Sequence, residues 1–385
     1  MKSKIVNVFD LLLTPLFLLE FLLFIVVLIF RKTKKSNALF CGLEHVIDKS
    51  AVRGMYLQEK GIIPYFYSLE ITGKRTRLPI KVFKTPKSLI LDFIFFQFLG
   101  IKIRPIYMEV YFTGRMGSGL RQYYYSLVAK LSKVKVFTVL RGELFYYDEF
   151  SPLKKWFIKG TLDNSDKILY RETYMQPILK RLGFPAQKVI FDPNKVKVYP
   201  SVNFERNENI ILFLNGFKKW RRIEIIIDAA PKVLKEHPDA KFYFIGARNE
   251  NEKNRVETML REKNIAEHCK VDFWTETPNI YYEKAKIFVL PADLVYLNFS
   301  LLEAMERGVP PIIAKVEDAE KIIQDGVEGY ICEQTPEAFA EKINFLLQSE
   351  ERRLNLAVAA RRKIIEEFDD SKRMEIVLKE LEITE

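Results

Sequence analysis

Short apolar segments alternate with amphipathic segments along almost the whole chain, and this rhythm constrains the fold more than any other feature. The apolar segments have the length of buried strands, and the amphipathic ones have the period of surface helices. The predicted strands are 38–41, 62–67, 106–112, 134–140, 167–170, 210–214, 241–245, 270–273, 286–290, 311–314 and 329–332. The predicted helices include 223–236, 251–263, 300–307 and 336–348, and a helical tail from residue 352 that breaks near 368–370. Because strands joined by helices form parallel sheets covered on both faces, we expect an α/β fold.

The alternation is interrupted at residues 199–209, where a proline and a polar run separate two sets of strands. We therefore predict two Rossmann-like domains, residues 37–202 and residues 203–385, the second ending in the helical tail. Charge supports this division, because residues 31–200 hold 31 Lys and Arg against 13 Asp and Glu, whereas residues 201–385 hold 28 against 35. A basic first domain predicts an anionic partner, for which we expect a membrane surface. The sequence carries no nucleic-acid-binding signature, so we expect no nucleic-acid partner.

Residues 11–30 form an apolar run in which Glu20 is the only charge. Twenty such residues span about 30 Å of hydrocarbon as a helix. The basic run 31–35 follows directly, which by the positive-inside rule predicts a single-pass membrane anchor over residues 1–36 with both domains in the cytoplasm. A re-entrant helix and a buried core helix are the alternatives. A second apolar run, residues 89–100, is too short to span and is either a core helix or a segment lying in the membrane interface.

Cysteines and histidines are too few and too scattered to form a metal site or a disulfide framework. The chain contains three of each. No Asp-x-Asp motif follows a predicted strand, so the sequence does not support a divalent-metal mechanism. We expect no metal and no resident cofactor.

A glycine and four basic residues follow the sixth predicted strand and lead into the next helix. Loops at the carboxyl ends of parallel strands are where α/β sheets bind ligands, and a helix N-terminus attracts anions. Gly216 would let a phosphate approach the backbone, while Lys218, Lys219 and Arg221 would neutralise it. The alternative is a solvated basic turn in which the glycine serves only the backbone.

A second segment, residues 300–311, combines a helix start with a carboxylate. Ser300 and Glu303 have the spacing of a capping box, in which Glu303 bonds the backbone at Ser300. In the functional alternative, the helix opening at Ser300 holds a diphosphate through free amides at Leu301 and Leu302. Glu303 then accepts hydrogen bonds from ribose hydroxyls.

In the first domain, glycines and charged residues follow three predicted strands at one edge of the sheet. The candidates are Gly42 and His45, Arg115 and Gly117, and Arg141 and Glu143. We expect Arg141 to contact an anionic leaving group and Glu143 to orient the acceptor hydroxyl, while the other four bind the acceptor. An Arg/Glu pair on a loop, a capping histidine and an ordinary glycine-rich connection are the structural alternatives.

Residues 216–246 and 286–332 together resemble the C-terminal half of family 4 glycosyltransferases of group 1, which have the GT-B fold. The resemblance covers residues 205–370, and the first half of the chain matches mainly in strand order. It implies two Rossmann-like domains whose parallel sheets face a cleft. It also implies a nucleotide-diphospho-sugar as co-substrate and transfer with retention of anomeric configuration.

The resemblance also implies roles for individual residues. Gly216 matches the glycine of the family's phosphate loop, and Arg221 matches the lysine that neutralises the diphosphate, with Lys219 as a substitute. Glu303 matches the second glutamate of the family's Glu-x7-Glu motif, which binds the ribose. In this family the leaving diphosphate helps to deprotonate the acceptor, so cations aimed at its oxygens stabilise the transition state. The predicted catalytic residues are Arg221, Lys219, Glu303, Arg141 and Glu143.

The chain departs from the family pattern at three positions. Val295 stands where the first glutamate of the motif is expected, Phe217 replaces the arginine after the phosphate-loop glycine, and Arg141 replaces a histidine. The leading hypothesis is a membrane-anchored glycosyltransferase that acts on a glycan or a lipid-linked acceptor. The alternative is a catalytically silent homologue that serves as a membrane-bound binding or scaffold protein.

Overall fold

The computed structural model describes residues 37–45, 48–70, 81–112, 119–140, 143–295 and 297–380. The predicted anchor, residues 1–36, lies outside these ranges. Within them, no helix combines the length and the apolar composition that crossing a membrane requires. The chain divides into two compact units, residues 1–193 together with 374–385, and residues 194–373.

The described part of the first unit is built on one parallel sheet. Its strands are β1 Asn37–His45, β2 Ile63–Glu70, β3 Lys81–Lys84, β4 Tyr107–Tyr111, β5 Lys135–Leu140, β6 Lys167–Tyr170 and β7 Val189–Phe191. They lie in the order β3-β2-β1-β4-β5-β6-β7. Its helices before residue 194 are α1 Asp48–Glu59, α2 Leu89–Ile103, α3 Leu120–Leu131, α4 Pro152–Asn164 and α5 Met175–Arg181. Every residue of β4 is buried, as expected for a central strand covered on both faces.

The second unit contains a parallel sheet of the same kind. Its strands are β8 Ile210–Leu214, β9 Lys241–Ala247, β10 Cys269–Phe273, β11 Ile287–Leu290, β12 Pro311–Ala314 and β13 Tyr330–Cys332. They lie in the order β10-β9-β8-β11-β12-β13. The helices are α6 Ile223–Glu236, α7 Glu250–Glu262, α8 Asn279–Tyr282, α9 Phe299–Glu306, α10 Pro336–Leu347 and α11 Glu350–Lys363. Short helical turns occur at Glu143–Glu149, Ala186–Lys188, Lys219–Arg221, Ala266–His268, Ala319–Lys321 and Ile364–Phe368.

The predicted α/β class with two parallel sheets is confirmed, and every predicted strand is present. Two strands were not predicted, β3 and β7. Both lie at a sheet edge and contain only four and three residues. Segments this short carry too few alternations of apolar and polar residues to be read from the sequence.

The second unit begins nine residues earlier than the predicted boundary at 202/203. Asn194 Nδ2 donates to the Leu297 carbonyl at 2.6 Å, and the Val196 amide donates to the Phe368 carbonyl at 2.9 Å. The Tyr199 amide donates to Glu306 at 3.0 Å. These bonds attach the segment before the boundary to the second sheet and its helices.

The end of the described chain packs on the first unit, which corrects its predicted place in the second domain. The last helix, α12 Asp370–Glu380, follows the break predicted near 368–370. Its residues Met374, Val377 and Leu378 are buried in the same core cluster as Phe40 of β1. The helix therefore covers one face of the seven-stranded sheet.

Candidate active site

Two loops of the second unit come together at the carboxyl ends of neighbouring strands. The basic loop, residues 215–222, follows β8, and the β11 loop, residues 291–298, follows β11. Because β8 and β11 are paired in parallel, both loops leave the sheet at the same edge. This is the edge at which parallel sheets bind ligands.

Backbone and side-chain bonds tie these two loops together. The Asp293 amide donates to the Trp220 carbonyl at 2.9 Å, and Arg222 Nε pairs with Asp293 Oδ1 at 2.8 Å. Asn215 Nδ2 donates to Asn298 Oδ1 at 3.3 Å. The segment that carries the predicted phosphate-binding residues is therefore fixed to the segment that leads into α9.

Arg221 is a half-buried cation at this junction. Its Nη1 donates to the Leu294 carbonyl at 3.3 Å, and no carboxylate among the described residues pairs with it. Burial lowers the pKa of its guanidinium, because the charged form loses water contacts. An arginine nevertheless stays charged at neutral pH, so this side chain can neutralise an anion at the loop.

The path of the basic loop depends on a glycine in the neighbouring strand. Gly246 has a φ of +138°, and a methyl group there would lie 2.1 Å from the Asn215 carbonyl oxygen. Any other residue at 246 would displace the loop. At Gly216 a methyl group would meet only Arg248 atoms, at 3.9 Å and beyond, so packing within the unit does not require glycine there. That glycine is instead consistent with space for a ligand beside the backbone.

Arg248 lies beside the basic loop and is not among the site residues predicted from the sequence. Its Nε lies 3.9 Å from the position of a methyl group on Gly216, and the side chain is exposed. No ion pair engages it among the described residues, while its backbone amide donates to Glu252 Oε2 at 3.0 Å. The sequence does show that Arg248 is a cation directly after β9, the strand that pairs with β8.

The remaining residues of the basic loop have different surroundings. Lys218 lies 3.8 Å from Glu252 Oε1, and Lys219 is exposed at the start of a short helical turn. Phe217 is 3% exposed, and its ring packs 6.3 Å from that of Phe213 in the core. Phe217, at the position where the family has an arginine, is therefore a core residue in this chain.

The start of α9 differs from the predicted capping box. The N-cap is Asn298, whose Oδ1 accepts from the Leu301 amide at 3.3 Å, and the Leu302 amide donates to the Asn298 carbonyl at 3.0 Å. The predicted free amides at Leu301 and Leu302 are therefore already satisfied. The Ser300 amide, by contrast, has no acceptor among the described residues, so it is the first-turn donor that an anion could use.

Glu303 is half-buried and is positioned by a tyrosine from α8. Tyr282, which is fully buried, donates its hydroxyl to Glu303 Oε2 at 3.0 Å and also bonds with Ser300. Burial and the Glu303 charge together raise the pKa of Tyr282 well above its usual value. The tyrosine thus stays protonated and holds the carboxylate in one orientation.

Val295 is completely buried in the core of the second unit. The position where the family has its first motif glutamate is therefore part of the packing. Asp293 is the acid of the same loop, and it is exposed. Its hydrogen bonds with Arg222 and Gln334, together with the Arg222 charge, hold its pKa below the usual value.

The candidates of the first domain are only partly described. Arg115, Gly117 and Arg141 lie outside the described residues, as do the side chains of His45 and Glu143. Gly42 has a φ of +76°, and a methyl group there would lie 2.4 Å from the Tyr111 carbonyl oxygen. Packing of β1 against β4 therefore accounts for this glycine. No group of three His, Cys, Asp or Glu side chains in the described part of the chain is arranged as a metal site.

Residues 197–363 match the family model of the group 1 glycosyl transferases. The match lies within the second unit and includes both loops and α9. This unit is therefore similar to the group 1 glycosyl transferases.

Curated relatives match parts of the chain. Spore coat protein SA of Bacillus subtilis (strain 168) is 29% identical over 174 residues, which is 42% of this chain and 45% of the relative. The N-acetyl-alpha-D-glucosaminyl L-malate synthase of Bacillus anthracis is 24% identical over 263 residues, covering 62% and 65%. The chain thus spans about half to two thirds of the length of these relatives.

A solved structure shows the same fold over most of the chain. The Anabaena protein HepE, in complex with UDP and glucose, aligns with a TM-score of 0.67 and 12% identity. The alignment covers 90% of this chain and 100% of HepE. At this identity the likeness shows the fold alone.

Proposed function

We propose that this protein is a glycosyltransferase of family 4. It transfers a sugar from a nucleotide-diphospho-sugar to a glycan or lipid-linked acceptor, with retention of anomeric configuration. The observation that carries the proposal is the junction of the basic loop with the start of α9. There, a half-buried arginine and a tyrosine-bound glutamate lie on two segments joined through Asn215 and Asn298.

The two segments suit different parts of a nucleotide sugar. The diphosphate lies along the basic loop beside Gly216, where Arg221, Lys219 and the additional Arg248 neutralise it. The carboxylate of Glu303 accepts hydrogen bonds from the ribose hydroxyls, since a carboxylate can accept from both members of a vicinal diol. The UDP and glucose bound to HepE, and the N-acetylglucosaminyl group in the name of the Bacillus anthracis relative, support a donor of this class.

The chemistry of the transfer depends on stabilising the departing diphosphate. As the bond to the sugar breaks, negative charge grows on the leaving oxygen, and fixed cations lower the barrier. A half-buried guanidinium without a carboxylate partner suits this role, because its charge is less screened than at an open surface. The leaving diphosphate then takes the proton of the acceptor hydroxyl, and no protein carboxylate is needed as nucleophile.

One observation favours a second function. Val295 is buried where the family's first motif glutamate is expected, so the contact of that glutamate with the donor sugar is lost. A catalytically silent protein that binds a nucleotide sugar without transferring it would tolerate this change.

The experiment that separates the two functions measures binding and turnover on the same preparation. The purified full chain is incubated with a panel of nucleotide sugars and with membranes as acceptor pool, and nucleoside diphosphate release is followed. Binding of the matching nucleoside diphosphate is measured by calorimetry. Turnover that falls in Arg221→Ala but not in the exposed control Arg362→Ala supports the transferase. Binding without turnover supports the silent homologue, and neither binding nor turnover contradicts both.

The same assay tests the metal requirement. We expect turnover to persist in excess EDTA, because the cations of the basic loop supply the charge that a divalent ion supplies elsewhere. Loss of turnover in EDTA with recovery on adding Mg²⁺ or Mn²⁺ would overturn this part of the proposal.

A further inference from the structure

Helix α2 is apolar on two sides, although only one of them is buried. Phe96, Leu99 and Ile103 are at most 2% exposed and pack in the core of the first unit. An outer stripe, consisting of Leu91, Ile94 and Phe98, is 59%, 44% and 58% exposed. Residues at this spacing lie along one line of a helix. A helix that is apolar all round normally has partners on every side, so the outer stripe indicates a missing partner.

Three exposed lysines lie beside α2, on its two ends and on the neighbouring edge strand. Lys81 lies on the same face of β3 as Phe83, which packs against the core that α2 covers. Lys87 precedes the helix, and Lys102 is in its last turn. The Lys102 ammonium lies 5.9 Å from the ring of Phe83 in β3, which brings the end of the helix beside that edge strand. None of the three lysines has an ion-pair partner among the described residues, so their charges are available to a partner.

The acidic side chain of α2 is turned away from this face. Asp92 is fully buried, accepts a hydrogen bond from Tyr67 at 2.6 Å and pairs with Arg121. Tyr125 also donates to it, at 2.7 Å. The outer face of α2 therefore combines apolar side chains with positive charge and presents no carboxylate of its own helix.

We propose that this face of α2 docks on the surface of an anionic phospholipid bilayer. The outer stripe enters the boundary between headgroups and acyl chains, and the three lysines bind lipid phosphates. With 15 residues, α2 is too short to cross the hydrocarbon and lies along the surface. Charge complementarity favours lipid over a second copy of this chain, because two copies of this face would bring six lysines together. The proposal is independent of the proposed reaction.

A local probe tests the proposal in the full chain, whatever residues 11–30 do. Leu91→Cys is labelled with the polarity-sensitive fluorophore NBD. The native thiols react poorly with the label. Cys41 and Cys332 are buried, and burial raises the pKa of Cys269 to about 12. A matched control places the same probe at Val358→Cys, an apolar residue of α11 that is 52% exposed. Emission is recorded with phosphatidylcholine vesicles that either contain or lack phosphatidylglycerol.

We expect the emission at position 91 to shift to the blue with phosphatidylglycerol vesicles and to be quenched by brominated lipid, while position 358 stays in water. Each lysine-to-glutamine change, for example Lys81→Gln or Lys87→Gln, should weaken docking about fivefold. An unshifted probe at position 91 overturns the proposal. An equal shift with pure phosphatidylcholine overturns the role of charge, and a concentration-dependent shift without vesicles assigns the face to a second copy of the chain.

Discussion

Asn215 and Asn298 bond to each other through their side chains at 3.3 Å, although 83 positions separate them in the chain. The same Oδ1 of Asn298 accepts the amide of Leu301 and so caps α9. One amide side chain thus serves the helix and the basic loop at once. Removing it should affect both the stability of the second unit and the shape of the proposed donor site.

We expect Asn298→Ala to lower the free energy of unfolding by about 1 kcal/mol, the usual cost of a lost N-cap. It should also raise KM for the donor, because the basic loop loses its attachment. Asn298→Asp is the matched control, since its carboxylate can accept both hydrogen bonds. It should keep the melting temperature but weaken binding of the diphosphate through its charge. An Asn298→Ala protein with unchanged KM would show that the attachment does not shape the site.

This bond also shows where sequence analysis reached its limit. The pattern Ser300-x-x-Glu303 is a valid local capping signal, and it predicted the position of α9 to within one residue. The actual cap is Asn298, whose side chain also bonds with Asn215, while the buried Tyr282 engages Glu303. Local spacing contains no information about either partner.

Other features were likewise predictable where they depend on local pattern and not predictable where they depend on long-range contacts. The sheets were predictable because β4, β8 and their neighbours are buried on both faces and read as apolar runs. Arg248 was missed because its closeness to Gly216 arises from strand pairing, not from a motif. The return of α12 to the first unit was missed because an amphipathic helix does not reveal which sheet it covers.

Arg221 should contribute more to turnover than to folding. Arg221→Ala removes a charge-assisted contact worth about 1.5–3 kcal/mol, so we expect kcat/KM to fall about 10- to 150-fold. Arg221→Lys, which restores the residue found in the family, should recover most of the activity. A loss of activity in Arg221→Lys as large as that in Arg221→Ala would contradict a role as simple counter-charge.

Arg248 should act on the diphosphate specifically. Arg248→Ala is expected to weaken binding of a nucleoside diphosphate while changing the affinity for the nucleoside monophosphate much less. Calorimetry with both nucleotides measures this ratio. Equal losses for the two ligands would remove Arg248 from the diphosphate site, even if total binding fell.

Tyr282 should act through Glu303. Tyr282→Phe leaves a carboxylate oxygen without its buried donor, which costs about 1–3 kcal/mol and lets the side chain change orientation. We expect a lower melting temperature together with weaker binding of the nucleoside portion. Tyr281→Phe is the control, because Tyr281 lies on the same short helix but donates to Asp272 at 2.9 Å instead. Its effect on nucleotide binding should be absent.

The ion pair of Arg222 with Asp293 should give a small pH dependence of stability. The Arg222 hydrogen bond holds the folded pKa of Asp293 below its ordinary value, so the folded state binds this proton less readily than the unfolded state. The stabilisation is then present above the unfolded pKa and is lost as pH falls through the folded pKa. At pH 7 we expect the free energy of unfolding of the wild type to exceed that of Asp293→Asn only slightly, because the pair is exposed. This difference should vanish in acid, which urea unfolding at several pH values can check.

The position of α12 has a consequence for how the chain becomes folded during synthesis. Met374, Val377 and Leu378 complete the cover of the first sheet, yet they are made after the entire second unit. A nascent chain must therefore hold an open apolar surface on its earlier half while some 180 further residues are translated. The ribosome-bound intermediate thus exposes apolar surface that the finished protein covers, and such surface makes a folding intermediate prone to aggregation.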